Sequence, residues 1–252
     1  MLADAKALCR QSLRGVQDLI LPHHAFDGSG RTATSGLSAQ AWSKIQFIAD
    51  PVCDSCSLPF DYDLGPGVRC PACEARPRAF ARARAACLYD EHSRDLILQF
   101  KHADRLDLAR LFSLWLSRSA EELIAGADAI APVPMHPFRL IRRRYNQAAE
   151  IARPLARQAG VAYWPGVLKR KRAGESQAGK SGSGRRRNVQ GAYVCPAGWE
   201  KRIAGKRILL VDDVMTTGAT VEACAKALTR AGASAVDVAV IARVRETETV
   251  SI

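Results

Sequence analysis

The stretch RILLVDDVMTTGATV, residues 207–221, decides the fold class of this chain. Its first half is a short apolar run that ends in two adjacent carboxylates, Asp212 and Asp213, which predicts a buried strand over 207–213. The residues that follow predict a turn into a helix over 218–232, closed by Gly232. Acidic, hydroxyl and glycine residues therefore follow one another at the carboxyl end of a predicted strand.

This order of residue types suits a ligand with two chemically different ends. In open α/β sheets, ligands bind outside the carboxyl ends of the strands. A helix start binds phosphate through free N–H groups, and Gly218 lets the backbone approach an anion closely. Two carboxylates would repel a phosphate but suit sugar hydroxyls or Mg²⁺. A ribose with a 5′-phosphate fits both ends, with hydroxyl donors supplied by Thr216, Thr217 and Thr220.

The rest of the chain alternates between strand and helix patterns. Strands are predicted at 83–90, 127–134, 207–213 and 234–244, with shorter candidates at 167–170 and 189–195. Helices are predicted at 2–21, 93–102, 104–125, 144–160, where Pro154 marks a kink or weak point, and 218–232. This alternation predicts an α/β fold in which a mostly parallel sheet is flanked by helices.

Three segments carry a resemblance to known proteins. VDDVMTTGAT (211–220) resembles the phosphoribosyl-pyrophosphate (PRPP) loop of type I phosphoribosyltransferases. APVPMHPFRLIRRRYNQAAEIARPLA (131–156) and KRKRAGESQAGKSGSGRRRNVQGAYV (169–194) resemble the ComF family, competence-associated proteins with a phosphoribosyltransferase domain and an N-terminal zinc ribbon. The resemblance implies a type I phosphoribosyltransferase-like sheet that binds PRPP with Mg²⁺. Asp212 and Asp213 would be its catalytic, ribose-binding residues, and Ala219 would belong to the 5′-phosphate loop.

The same resemblance places a pyrophosphate-binding segment after the strand predicted at 127–134. Transfer from PRPP displaces pyrophosphate, so the site needs N–H donors and cations for the leaving anion. The implied residues are Val133, Pro134, Met135, His136 and Arg139. A pyrophosphate contact, a nucleic-acid contact and a solvated surface all remain open for the run Arg142, Arg143 and Arg144. Asn146 either caps the following helix or contacts ligand.

Residues 169–188 form a basic segment rich in glycine and serine, which the resemblance assigns to a flexible lid. Such a composition can order over a polyanion, and the alternative is a basic loop without a ligand. The lid residues would be Lys169, Arg170, Arg172, Gln177, Arg187 and Asn188. Where the family usually keeps a leucine soon after the glutamine, this chain has AGKSGSG, which weakens the expected docking of the lid.

Charge and hydropathy narrow the choice of partners. The net charge of +12 and pI near 9.7 favour polyanions such as nucleic acid, phosphorylated metabolites or anionic membrane surfaces. No apolar run approaches the length of a transmembrane helix, and the N-terminus lacks the apolar core of a signal peptide. We therefore expect a cytoplasmic protein without a transmembrane segment.

Four of the eight cysteines form two C-x-x-C pairs, CDSC (53–56) and CPAC (70–73), separated by 13 residues. Two such pairs make a tetrahedral sulfur site suited to zinc, with iron as the alternative. All four positions would be used, so the site is predicted to be structural, with ligands Cys53, Cys56, Cys70 and Cys73. Residues 22–42, including His23 and His24, are interpreted as a remnant of a second ribbon that has lost its metal.

These observations predict three parts and leave two functions open. The parts are an N-terminal helix with a degenerate ribbon segment (1–49), a zinc ribbon (50–80) and a phosphoribosyltransferase-like domain (81–252). One hypothesis is a Mg²⁺-dependent transferase that uses PRPP, linked by family to DNA uptake. The other is a non-catalytic PRPP sensor or a single-stranded DNA-binding protein that works with competence or recombination proteins. The acceptor of the transferase is not identified by any motif.

Overall fold

The computed structural model describes residues 36–102, 105–135, 145–170 and 191–245. The chain divides into two compact units, residues 1–45 and 46–252. In the first unit, the described part contains helix α1 (Ala39–Lys44), and the Ser38 side chain caps it by accepting a hydrogen bond from the Ala41 N–H. The helix begins within residues 22–42, the segment interpreted from the sequence as a ribbon remnant. The predicted helix at 2–21 lies outside the described residues.

The second unit contains the remaining helices and strands. In chain order its helices are α2 (Pro71–Ala75), α3 (Glu91–His102), α4 (Leu108–Ser119), α5 (Glu121–Ala125), α6 (Gln147–Ala159), α7 (Glu200–Ile203) and α8 (Ala219–Arg230). Its strands are β1 (Ala83–Leu88), β2 (Ala129–Pro132), β3 (Ala162–Tyr163), β4 (Lys169–Arg170), β5 (Tyr193–Val194), β6 (Arg207–Met215) and β7 (Ala235–Arg243). No helix within the described ranges is long and apolar enough to cross a membrane.

Five strands form one sheet in the order β1-β7-β6-β2-β3, and every pair in it is parallel. The predicted parallel α/β sheet is therefore confirmed. From β2 the chain moves outward to β3, whereas from β6 it moves in the other direction to β7. The direction of the sheet thus reverses between β2 and β6, and this is where ligands bind in sheets of this kind.

Helices cover the sheet because its central strands are buried along nearly their whole length. All four residues of β2 and eight of the nine residues of β7 are buried. On one side, α8 places Val221, Cys224 and Leu228 in the same apolar core as Ile208 and Leu210 of β6. Helix α6 packs against β2, β6 and α4. The predicted flanking of the sheet by helices is therefore confirmed.

The segment with the four cysteines continues the same core and covers an edge of the sheet. The cysteines share a buried cluster with Phe80 and with the apolar side chains of β6 and α8. The Ala83 N–H of edge strand β1 donates to the Ser55 carbonyl at 2.9 Å, and the Ala85 N–H donates to Ser57 Oγ at 3.0 Å. This segment therefore satisfies backbone groups that an edge strand would otherwise leave unpaired.

Four predicted elements differ in detail. The helix predicted at 104–125 is two helices, because Ala120 leaves helical geometry (φ −118°) and two glutamates open the next helix, where acidic side chains are favourable. The candidates at 167–170 and 189–195 shorten to β4 and β5, which pair antiparallel in a separate ladder. Helix α6 runs through Pro154 and ends at Gly160, whose positive φ of 66° suits glycine.

Candidate functional site

The two adjacent carboxylates lie where β6 extends beyond its neighbour. β2 pairs with β6 as far as Val211, whereas β7 accompanies β6 to Met215. Asp212 and Asp213 therefore follow the last residue that β2 covers, and each residue as a whole is partly exposed. The structure places them at the carboxyl edge of the sheet, beside the reversal between β2 and β6.

Hydrogen bonds and one ion pair orient this acidic pair. Asp212 Oδ1 accepts from the Asp213 N–H at 3.0 Å, and Asp213 Oδ1 accepts from the Val214 N–H at 2.6 Å. Lys101 Nζ of α3 lies 2.9 Å from Asp213 Oδ2, with both side chains less than one fifth exposed. No local sequence pattern points to Lys101, which lies more than a hundred residues from its partner in the chain. Its ammonium group supplies a local counter-charge for the pair.

The environment of Asp212 disfavours its ionised form. Burial, reinforced by the neighbouring Asp213 carboxylate, raises the pKa of Asp212 to about 8, while the Asp213 N–H and Lys101 act in the opposite direction. Burial and a like charge both disfavour ionisation of a carboxyl group, and a nearby cation favours it. A bound cation, or ligand hydroxyl groups that hydrogen-bond to these oxygens, would therefore be favourable beside Asp212 and Asp213.

The loop after β6 ends in a left-handed glycine that starts α8. Gly218 has φ 77° and is the N-cap of the helix, with no side chain capping it. Within the described part of the chain, no acceptor takes the backbone N–H groups of Thr217, Gly218, Ala219 or Thr220. Free N–H groups at the start of a 12-residue helix form a site for an anion. The assignment of this loop to a 5′-phosphate stays a prediction, and these N–H groups are the donors that it needs.

Two arginines hold successive carbonyl groups of this loop, and sequence analysis identified neither. Arg243, at the end of β7 and only 4% exposed, donates to the Met215, Thr216 and Val244 carbonyl oxygens. Arg78 donates to the Thr217 carbonyl at 2.8 Å. In a trans peptide the N–H points away from the C=O. The Thr217 and Gly218 N–H groups therefore point away from the guanidinium groups that hold their peptides.

The segment proposed for pyrophosphate begins next to the acidic pair. The Val133 N–H donates to the Val211 carbonyl at 2.9 Å, which extends the β2–β6 pairing by one residue and places Pro134 and Met135 directly after it. Asn146 caps α6 by accepting from the Ala148 N–H, and its Nδ2 donates to the Val133 carbonyl at 3.0 Å. Asn146 thus joins the start of α6 to the end of β2.

Several predicted site residues lie outside the described residues, namely His136, Arg139, Arg142, Arg143, Arg144, Arg172, Gln177, Arg187 and Asn188. Lys169 and Arg170, the first two residues assigned to the lid, form β4. The Arg170 guanidinium lies 5.6 Å from the Tyr193 ring centroid, above the facing strand β5. A short antiparallel ladder therefore joins the first two residues of the predicted lid to β5, which follows the lid in the chain.

The four predicted metal ligands form one buried cluster. Their Sγ atoms lie within 4.8 Å of one another, and the Cys56 and Cys70 sulfurs are 3.7 Å apart. Tetrahedral zinc with bonds of about 2.3 Å requires sulfurs about 3.8 Å apart. The four cysteines could therefore hold a metal ion such as zinc. A hydrogen bond to Cys53 and burial raise the pKa of Cys56, and burial raises the pKa of Cys70.

Comparison with known proteins identifies the family. Residues 146–251 match the model of the phosphoribosyl transferase domain. The DNA utilization protein YhgH of Salmonella typhi is 31% identical over 194 residues, which cover 74% of this chain and 82% of that protein. Competence protein F of Haemophilus influenzae is 29% identical over 222 residues, covering 86% and 94%. The chain belongs to the ComF family. Competence protein ComFC of Streptococcus pneumoniae is 28% identical over 150 residues, covering 60% and 63%.

We predict that Asp212→Asn stabilises this ComF-family chain most at high pH. The folded pKa of Asp212, about 8, lies above its ordinary value of 3.8, so the folded state holds a proton that the unfolded chain has lost between these values. Stability contributed by this group is complete below pH 4 and is lost as pH rises through 8. Melting temperatures of both proteins from pH 5 to 9 should diverge by several degrees. Parallel curves would contradict the raised pKa.

The cysteine cluster predicts one metal ion per chain, because four thiolates complete a tetrahedral site. Elemental analysis should find this metal in the intact protein, and Cys56→Ser should lose most of it. Cys195→Ser is the matched control, because Cys195 lies outside the cluster. Since the buried thiols of Cys56 and Cys70 hold their protons, metal binding should release protons and weaken as pH falls. Equal metal content in the two variants would contradict this assignment.

Proposed function

We propose that this chain binds PRPP together with Mg²⁺ at the carboxyl edge of β6 and acts as a phosphoribosyltransferase-like protein. The proposal rests on the observation that an acidic pair and a set of free N–H groups lie at the end of the same strand. The acidic pair lies at the end of β6, and the free N–H groups of the following loop lie a few residues further along. PRPP carries both a ribose and a 5′-phosphate, so one ligand satisfies both features.

In this proposal the two ends of the site bind different parts of the ligand. Asp212 and Asp213 bind the ribose hydroxyls, and the N–H and hydroxyl groups of the loop bind the 5′-phosphate. Bound Mg²⁺ would neutralise negative charge on the ligand's phosphate groups. Lys101 forms an ion pair with Asp213, so ribose binding would exchange this ion pair for hydroxyl contacts. The carboxylate charge beside C1 would also favour the positive charge of an oxocarbenium-like transition state.

The leaving pyrophosphate needs donors on the other side of the ribose. Val133, Pro134 and Met135 follow β2, the strand beside β6, and support this placement through the Val133–Val211 hydrogen bond. We propose that His136 and Arg139 complete this segment and that the lid after β4 closes over the diphosphate. We further propose that the cysteine cluster holds a structural zinc ion and that the protein works in the cytoplasm, where cysteines serve metals more often than disulfides.

A second candidate function is the handling of single-stranded DNA during uptake or recombination. Two observations favour it: the net charge of +12, and relatives named as competence and DNA utilization proteins. A non-catalytic PRPP sensor that works with competence proteins would satisfy both functions. Measurement of pyrophosphate release from PRPP in the presence of bases or nucleic acids separates an enzyme from a sensor, because only an enzyme turns the ligand over.

Calorimetry with PRPP and Mg²⁺ tests the first function. The intact protein should bind, and Asp213→Ala should weaken binding by roughly tenfold or more, since a buried hydrogen bond to a charged group contributes about 1.5–3 kcal/mol. Asp95→Ala is the control, because Asp95 is an exposed carboxylate on the helix that carries Lys101. Absence of binding by the intact protein would refute the proposal, and equal losses in both variants would exclude this site.

Salt titration of binding to single-stranded DNA tests the second function. Each phosphate contact contributes about 0.7 to the slope of log affinity against log salt, so replacing Arg142, Arg143 and Arg144 with glutamine should lower the slope by about 2. The control removes three exposed cations elsewhere, Arg94, Arg110 and Arg230. An identical slope in the two triple variants would exclude a specific contribution of the arginine run.

A further inference from the structure

Arg78 connects the cysteine cluster to the loop before α8. Its Nε donates to Cys73 Sγ at 3.4 Å. Its Nη1 donates to the Thr217 carbonyl at 2.8 Å and to Glu222 Oε1 at 2.7 Å. The side chains of Arg78 and Glu222 are 11% and 7% exposed. One largely buried guanidinium therefore joins a candidate metal ligand, a loop carbonyl and a carboxylate of α8.

The peptide between Thr217 and Gly218 needs an outside contact to fix its orientation. Gly218 adopts its φ of 77° without steric cost, but the absence of a Cβ also makes other conformations accessible. Because N–H and C=O point in opposite directions in a trans peptide, the bond from Arg78 to the Thr217 carbonyl sets the direction of the Gly218 N–H. That N–H is one of the donors available to a phosphate. Arg78 therefore acts on the ligand through the loop.

We propose that Arg78 is a positioning residue through which metal in the cysteine cluster prepares the loop for phosphate, an inference that rests on the proposed binding of PRPP. A bound metal fixes Cys73, and a metal-bound thiolate accepts strongly from a guanidinium N–H. When the metal leaves, Cys73 and then Arg78 lose their fixed positions, and the peptide before Gly218 can rotate. Metal and PRPP therefore bind cooperatively at separate sites.

Arg76 supplies a matched control for Arg78. Its Nη2 donates to the other oxygen of Glu222 at 2.9 Å, and the structure shows no hydrogen bond from it to Cys73 or Thr217. Arg78→Lys keeps the charge but cannot reproduce the three contacts of the guanidinium, so PRPP affinity of the zinc-loaded protein should fall roughly tenfold. Arg76→Lys, whose side chain is 57% exposed, should change it by less than about twofold.

The coupling can also be measured as the effect of PRPP on zinc affinity, first in the wild type and then in the two variants. Cooperative binding is reciprocal, so PRPP must raise zinc affinity by the same factor by which zinc raises PRPP affinity. Competition of the full-length protein with a chromogenic zinc chelator, with and without PRPP and Mg²⁺, measures this factor. In the wild type PRPP should strengthen zinc retention roughly tenfold, the factor expected for a hydrogen bond to a charged group. In Arg78→Lys the strengthening should disappear, and in Arg76→Lys it should persist.

The outcomes separate this inference from the function on which it rests. If the wild type binds no PRPP, the proposed function fails and the inference fails with it. If the wild type binds PRPP but zinc affinity does not respond to it, only the coupling is refuted. Equal losses of PRPP affinity in Arg78→Lys and Arg76→Lys would assign the effect to Glu222 and overturn the role of the Thr217 contact. Zinc content and melting temperature confirm that each variant is loaded and folded.

Discussion

The unequal length of two neighbouring strands is the constraint on which the site depends. β2 stops at Pro132, while β6 continues to Met215 with β7 alone beside it. If β2 were as long as β6, it would cover the backbone beside Asp212 and Asp213. Because β2 is shorter, it leaves the acidic pair uncovered at the edge where the sheet reverses direction. The loop toward α8 begins at the same edge. Strand length thus places acidic and anion-binding groups at one edge.

The loop itself is held by cations that belong to distant parts of the chain. Arg243 comes from the last strand and Arg78 from the segment after the cysteines, and both donate to loop carbonyls. A buried guanidinium needs acceptors, and carbonyl groups that no helix or strand uses need donors. The guanidinium groups and the loop carbonyls therefore satisfy each other's hydrogen-bonding requirements. Because these contacts use the carbonyl groups, the N–H groups on the opposite side of the same peptides stay available to an anion. The arginines therefore both hold the loop and orient its N–H donors.

Sequence patterns predicted the elements whose signals are local. The apolar runs of β6 and β7, the helix after Gly218 and the two C-x-x-C pairs depend on periodicity or spacing within a short window, and the structure contains them. The break at Ala120 was missed because the apolar pattern continues across it. β4 and β5 were predicted too long, because the extent of a ladder depends on its partner rather than on the propensity of the strand.

For contacts between distant residues, the sequence indicates that a charged residue requires a partner but does not identify that partner. Glu222 lies on the buried face of α8 among Val221, Cys224 and Ala225, and a carboxylate in such a face requires a cation. The pattern does not identify Arg78, which is separated from it by 144 residues, or Lys101 as the partner of Asp213. A charged residue inside an apolar pattern therefore indicates a position where the fold must supply an oppositely charged side chain. In this chain two such contacts, Arg78–Glu222 and Lys101–Asp213, converge on the candidate site.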